Sequence, residues 1–448
     1  MRIAWFSPLP PTPSGIAAYS AELLPLLESR GHTLERFPAT SAADYVWKQR
    51  RAAYDLTVYQ LGNASWHDYM WAYLFRYPGL VVLHDAQLHQ ARALDLTSRW
   101  IPRPDDYVEE FRANHPEAPG DVTKLVIAGL GGSLYQLWPM IRLVVERARL
   151  TVVHSQLLAE DLRQQYPSAR FEHVAMGVRD PRDHAIPEPE LRAIRERHRI
   201  PFDATIVAAY GGVTPEKRID VLLRAVGGLA DRHPQLHVML VGHTADHFDV
   251  VGEAERWRIA DRVHLTGYVA DADLPGYLAA ADFCACMRWP SNGETSASWL
   301  RCLAAGRATI VTDLAHLGDV PTLDPRGWRQ IDMLRPDPSR VPVAVSIELI
   351  DELHSLELAL DRLATDAPLR ATLGAAARTW WEERHQLSTM ADAYDRVLRE
   401  AAAMPPPTCT LPPHLMNDGW RRLESIGNEM SMSERLDELF GRDRRSIG

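Results

Sequence analysis

The chain has 448 residues, 46% of them hydrophobic and 24% charged, with a formal net charge of −10. That length exceeds what one core supports, so two domains with smaller additions are expected, and the acidic balance excludes a nucleic-acid binder that works by neutralising phosphates. The four cysteines, Cys284, Cys286, Cys302 and Cys409, are too few and too unevenly placed for a disulfide framework or a paired Cys-x-x-Cys zinc site, so a reducing compartment is expected.

Arg2–Ser7 reads as a buried strand, Pro8–Ser14 as a loop, and Gly15–Arg30 as a helix with Ile16, Tyr19, Leu23, Leu24 and Leu27 on its apolar face. The short apolar start, broken by prolines, is a strand rather than a signal peptide. Leu56–Gln60 and Leu80–Leu83 are further strands, the second running into His84-Asp85. Apolar positions from Leu125 to Leu150 keep helical spacing, with a kink expected at Pro139. The charges of Arg142, Glu146, Arg147 and Arg149 exclude a membrane span there. Thr151–His154 is a strand and Leu157–Gln165 the helix after it.

Arg179–Pro189 is polar and carries three prolines, which predicts a linker. A second alternating series follows: strands at Thr205–Ala209, His237–Val241, Val263–Thr266, Phe283–Met287 and Thr309–Thr312. Helices are expected at Pro215–Leu229, Glu253–Arg258 and Asp273–Ala281, and after the Glu294 loop. Leu323–Arg340 reads as a loop insertion, and helices are predicted at Ser346–Thr365, Pro368–Arg384 and Thr389–Ala403. The fold class is therefore α/β, with two Rossmann-like, doubly wound domains facing each other across a cleft. The boundaries are residues 1–185 and 190–385, then a closing helix over 386–404 that packs back on the first domain. Residues 405–448 form a Pro-rich tail with a short amphipathic helix, Met432–Phe440, assigned to docking or dimerisation.

Two stretches carry the chemistry. Tyr210-Gly211-Gly212-Val213-Thr214-Pro215-Glu216-Lys217-Arg218 leads from a strand through glycines to a capped helix start. Backbone N–H groups and the Lys217 ammonium would meet a diphosphate there; a capped helix with solvated Lys217 and Arg218 fits the same residues. Trp289 to Gly306 is a loop with one carboxylate, Glu294, then the hydroxyls Thr295, Ser296 and Ser298, then an apolar helix. A carboxylate beside an anion is unfavourable unless it takes hydrogen bonds from hydroxyls, which points Glu294 to a sugar; an acid complementing the helix dipole is the competing account. Trp289 and Trp299 flank this loop as stacking or core residues. His84, at a strand end, has a ring that titrates near neutrality and could polarise a ligand. Ser14-Gly15-Ile16 repeats the strand–glycine–helix arrangement in the first domain. Ala128-Gly129-Leu130-Gly131-Gly132 follows no strand and is discounted, and Asp271-Ala272-Asp273 reads as a helix cap rather than a metal site.

In this order, Ser14-Gly15-Ile16, Val81-Val82-Leu83-His84-Asp85, Val153-His154-Ser155, Gly211–Arg218 and the Glu294 loop resemble the GT-B fold glycosyltransferases of family 4 over the first nine-tenths of the chain. The resemblance implies a retaining transfer of sugar from a nucleotide diphosphate sugar to a glycan, lipid or small-molecule acceptor, with no metal and no cofactor. By position it implies His84, Lys217 and Glu294 as catalytic residues. It implies Gly15, Gly211, Gly212, Lys217, Arg218, Glu294, Thr295 and Ser296 as donor-binding residues, with the donor on the second domain and the acceptor on the first. Two departures stand out. By the resemblance Arg301, seven residues after Glu294 and so one short of the family's E-x7-E spacing, stands in place of the second glutamate, and Gly212 replaces an arginine, whose charge Arg218 is expected to supply. A cytoplasmic location, contact with a membrane surface and a homodimer through the tail complete the reading. A non-catalytic glycan- or nucleotide-binding scaffold and a sugar-nucleotide epimerase of the same architecture are the alternatives.

Overall fold

The computed structural model describes residues 1–99, 101–183, 186–335, 340–416, 427 and 429–432. Apolar runs too short for helices and buried on both faces form two sheets. The first comprises β1 (Arg2–Phe6), β2 (Thr33–Phe37), β3 (Leu56–Leu61), β4 (Leu80–Leu83), β5 (Leu150–Val153) and β6 (Phe171–His173), in the order β2-β1-β3-β4-β5-β6. All its pairings are parallel, as covered βαβ units require. The second contains β7 (Thr205–Tyr210), β8 (Leu236–Val241), β9 (Val263–Gly267), β10 (Phe283–Cys286), β11 (Ala308–Thr312), β12 (Thr322–Asp324), β13 (Arg329–Gln330) and β14 (Ala344–Ile347). Its order is β13-β12-β14-β11-β10-β7-β8-β9, and only the β12–β13 edge pair is antiparallel.

Several expectations about local structure change. The helical pattern between Leu125 and Leu150 is not one kinked helix. It breaks into Asp121–Ile127, Leu134–Leu137 and Arg142–Arg147, because Gly129 and Gly132 take positive φ and Pro139 interrupts the run. Ser346–Thr365 is also divided: Ala344–Ile347 is a buried strand and the helix starts at Glu352. The described residues of the expected linker before Glu188 are irregular, and a helix not expected from the sequence, Glu188–Arg197, begins at its end. β2 and β6 lie at the edges of the first sheet and carry too few apolar residues to stand out in sequence. The amphipathic piece expected at Met432–Phe440 lies, beyond Met432, outside the described residues.

The chain crosses between the domains twice, and the crossings are tied together: Val178 N donates to His385 O at 3.0 Å. After the second crossing the Leu387–Ala403 helix lies on the first domain. Its Met390, Ala391, Tyr394, Val397, Leu398 and Ala401 are buried against Ile3, Trp5, Tyr19 and Leu23. The Tyr19 and Tyr394 hydroxyls share a 2.5 Å hydrogen bond. Beyond it, Leu411 and Leu415 pack on the first domain's core, and His414 Nε2 reaches the fully buried Glu110 at 2.8 Å. Among the described residues no helix is long and apolar enough to cross a membrane.

Candidate active site

The carboxyl ends of β7 and β10, neighbours in the second sheet, deliver the two loops that carry the candidate residues. After β7, Gly211 turns with φ of 86°, a left-handed backbone suited to glycine. A Cβ on it would lie 2.5 Å from Lys217 Nζ and 3.0 Å from Ser298 Oγ, so any other residue here would push the lysine tip aside. Gly211, Lys217 and Ser298 therefore meet at one point. The Lys217 ammonium donates to the Tyr210 carbonyl. Burial, helped by the nearby Arg288 cation, lowers its pKa to about 8.

The helix expected from Pro215 is interrupted. Pro215–Lys217 is a single 3-10 turn, Arg218 is left-handed with φ of 56°, and the α-helix begins at Ile219. Thr214 makes no side-chain cap bond. This turns the Arg218 guanidinium onto Glu352 in a two-pronged pair at 2.8 and 2.5 Å. The charge expected beside Lys217 is thus supplied not by Arg218 but by Arg288, just after β10. Sequence reasoning passed over Arg288; its place at a strand's carboxyl end was the available signal.

Arg288 Nε pairs with Glu294 Oε1. Glu294 Oε2 accepts from Ser291 Oγ at 3.0 Å and Asn292 N at 2.6 Å. The carboxylate is only 12% exposed, so it organises its own loop while keeping spare acceptor capacity. Its ion pair also removes the objection to a carboxylate beside an anion site. Ser296 caps the Ala297–Ala304 helix, its Oγ accepting from Trp299 N at 3.2 Å. Thr295 lies partly buried beside it. Trp299 is core, bonded to Thr309 Oγ1 at 3.1 Å. Trp289 has a half-exposed ring, and its backbone N–H donates to Glu216 O at 2.7 Å, tying the two loops together. Gly212 is exposed and unobstructed.

The first domain meets this loop directly. Ala86 N donates to Asn292 O at 2.6 Å across the cleft. The adjacent Asp85 accepts from Asn63 N at 2.6 Å. Its pKa rises to about 6, chiefly by burial and then by the Glu294 charge. His84, 8% exposed, bonds to Gln60 Oε1 at 2.7 Å and stands edge-on to Tyr19. Burial, with His154 and His67 nearby, holds it well below its usual range. It is therefore a neutral hydrogen-bonding ring, not the group titrating near neutrality that its strand-end position suggested. Gly15 opens the Gly15–Ser29 helix, exposed and with open space where a Cβ would stand, behind the Ser14 cap. Arg301 spans the domains, 3.5 Å from Glu22 of the Gly15–Ser29 helix and 3.5 Å from Asp271.

Residues 204–327 match the family model "Glycosyl transferases group 1". Mannosylfructose-phosphate synthase of Agrobacterium fabrum is 29% identical over 174 residues, 36% of each chain. D-inositol 3-phosphate glycosyltransferase of a Nocardioides species is 29% identical over 211 residues, 41% of this chain and 45% of the relative. The matched stretches thus span less than half the length of these curated relatives. Over most of the chain the likeness is structural. Anabaena Alr3699/HepE, in complex with UDP and glucose, superposes with a TM-score of 0.58 at 15% identity, over 89% of this chain and 99% of that one. Sucrose-phosphate synthase from Thermosynechococcus elongatus gives 0.62 at 14% identity, over 89% and 98%. The chain has the GT-B fold, and residues 204–327 of its second domain are similar to the glycosyl transferases group 1.

Proposed function

We propose that the protein is a glycosyltransferase that moves a sugar from a nucleotide diphosphate sugar to a hydroxyl-bearing acceptor, with retained anomeric configuration. The observation that carries this is the convergence of Lys217, Gly211 and Ser298 with the Arg288–Glu294 pair at the carboxyl ends of β7 and β10, facing Asp85–Ala86 of the first domain. A diphosphate fits against the Lys217 ammonium, and the sugar against Glu294. As the bond to the leaving diphosphate breaks, Lys217 and Arg288 stabilise the charge that develops on it. We assign this role to these cations and propose neither a metal nor a cofactor. Neutral His84 and the partly protonated Asp85 face the transferred sugar from the other domain, and no side chain is assigned as a covalent nucleophile.

The names of two relatives speak of sugar transfer, one of them a GDP-mannose-dependent mannosyltransferase of Mycolicibacterium smegmatis, and a structural neighbour holds UDP with glucose. These support a nucleotide-sugar donor and leave its base open. A cytoplasmic site of action is supported by four free cysteines; a lipid or glycan acceptor and a dimer through the tail belong to the same reading. Incubation with nucleotide sugars, reading nucleoside diphosphate release with and without acceptor hydroxyls, tests it. Release is expected from wild type and lost in Lys217→Ala and Glu294→Gln. Wild-type turnover in both variants would remove the site assignment, and conversion of donor to another sugar nucleotide without release would make the protein an epimerase.

A further inference from the structure

The Glu22–Arg301–Asp271 group lies beside the donor groove and is unexplained by the residues already assigned. A nucleotide sugar is linear: sugar, diphosphate, ribose, base. With the sugar at Glu294 and the diphosphate at Lys217, the ribose comes next, on the side of Lys217 away from Glu294. The Ala297–Ala304 helix runs that way. Ser298 touches the Gly211–Lys217 point, and Arg301, three residues on, lies on the same face about 4.5 Å further along the axis. Arg301 cannot serve ribose hydroxyls as an acceptor, since a guanidinium has five donors and no lone pair to offer. It can hold a carboxylate that does.

Two carboxylates stand 3.5 Å from it. Asp271 is 64% exposed, whereas Glu22 is 16% exposed and belongs to the first domain. Hydrogen bonds made away from water discriminate more strongly. Burial raises the Glu22 pKa, and the Arg301 and Arg179 charges act against that rise. We infer that Glu22, positioned by Arg301, accepts a hydrogen bond from the ribose of the bound nucleotide, so that the first domain reads a part of the donor otherwise held by the second. This rests on the donor reading above. Relative to a carboxylate at position 301, the acceptor has moved to the opposite wall of the cleft, and engaging the ribose draws the two domains together.

Titration calorimetry on the full chain with UDP and GDP, each beside its 2′-deoxy counterpart, tests the inference. Wild type is expected to bind the ribo form of its nucleotide about tenfold more tightly than the deoxy form, the worth of one charge-assisted hydrogen bond. Glu22→Ala should bring that ratio to within about twofold, and Arg301→Ala should lower it partly, with Arg301→Lys restoring some of it. Asp271→Asn should leave it unchanged, and Lys217→Ala should weaken both forms alike. If Glu22→Ala lowers the melting temperature, Glu22→Gln, which keeps the packing and removes the charge, should still reduce the ratio by about threefold. A well-folded Glu22 variant with the wild-type ratio, or loss of the ratio in Asp271→Asn instead, overturns the proposal while the donor reading stands. Failure of wild type to bind any of the four nucleotides removes the proposal, while the nucleoside diphosphate release assay decides the donor reading separately.

Discussion

Burial, and after it the nearby Arg288 charge, makes the Lys217 ammonium harder to hold and brings its pKa down to about 8. The ammonium is therefore present below that pH and lost above it. Donor affinity is expected to fall as pH rises through about 8, and Lys217→Arg should move the fall to higher pH; titration of donor binding from pH 6 to 10 checks this. Lys217→Ala should lower kcat/KM by a factor of about 30 or more, on the order of 2 kcal/mol. Arg218→Ala should leave donor affinity near wild type, because its guanidinium is occupied by Glu352. Lys217, Gly211 and Glu294 were legible in the sequence because a strand, a glycine turn and a charged residue within a few positions define the chemistry locally. Arg288 and Asp85 were not, since their importance depends on segments some two hundred residues apart coming together. Arg218 was misplaced for a conformational reason: one left-handed residue redirected it.

Elements matter here chiefly through their ends. The Ala297–Ala304 helix receives its cap from Ser296, and Ser296→Ala should cost about 1 kcal/mol of stability. It should also weaken donor binding, because Glu294 is two residues before the cap; paired thermal melts and donor titrations would show both. Strands of the two sheet interiors were readable from buried apolar runs, whereas β14 merged with the helix after it, because Ala344–Ile347 followed by Leu349 and Leu353 also satisfies helical spacing. The segment from Leu125 to Leu150 failed in the opposite sense: its periodicity is helical, but two glycines at positive φ and Pro139 decide the backbone. Tyr394→Phe should cost about 1–3 kcal/mol, since it strands the buried Tyr19 hydroxyl 375 residues away.

At the scale of the molecule, buried histidines set the acid limit. Burial lowers His67, His89, His115, His154, His237 and His385 to about 4. Their unfolded pKa is about 6.5, so the unfolded chain binds these protons first. The stability they contribute is complete above about pH 6.5 and is lost progressively as pH falls toward 4. Melting temperatures should therefore be flat near pH 7 to 8 and drop steeply below 6. His237 and His264, joined ring to ring at 2.9 Å far from the donor loops, are a second place to test it, since His237→Asn should reduce the acid sensitivity without altering donor affinity.

The Leu387–Ala403 helix fills the core of the first domain after the whole of the second has been passed. During synthesis, therefore, the domain begun first is completed last. The second domain can finish its sheet while still near the ribosome, whereas the first must wait, with the surface around Trp5 and Tyr19 uncovered, for a partner almost four hundred residues downstream. A chain ending at residue 386 should hold a folded second domain beside a first domain open to protease, and a chain extended by the next seventeen residues should be closed.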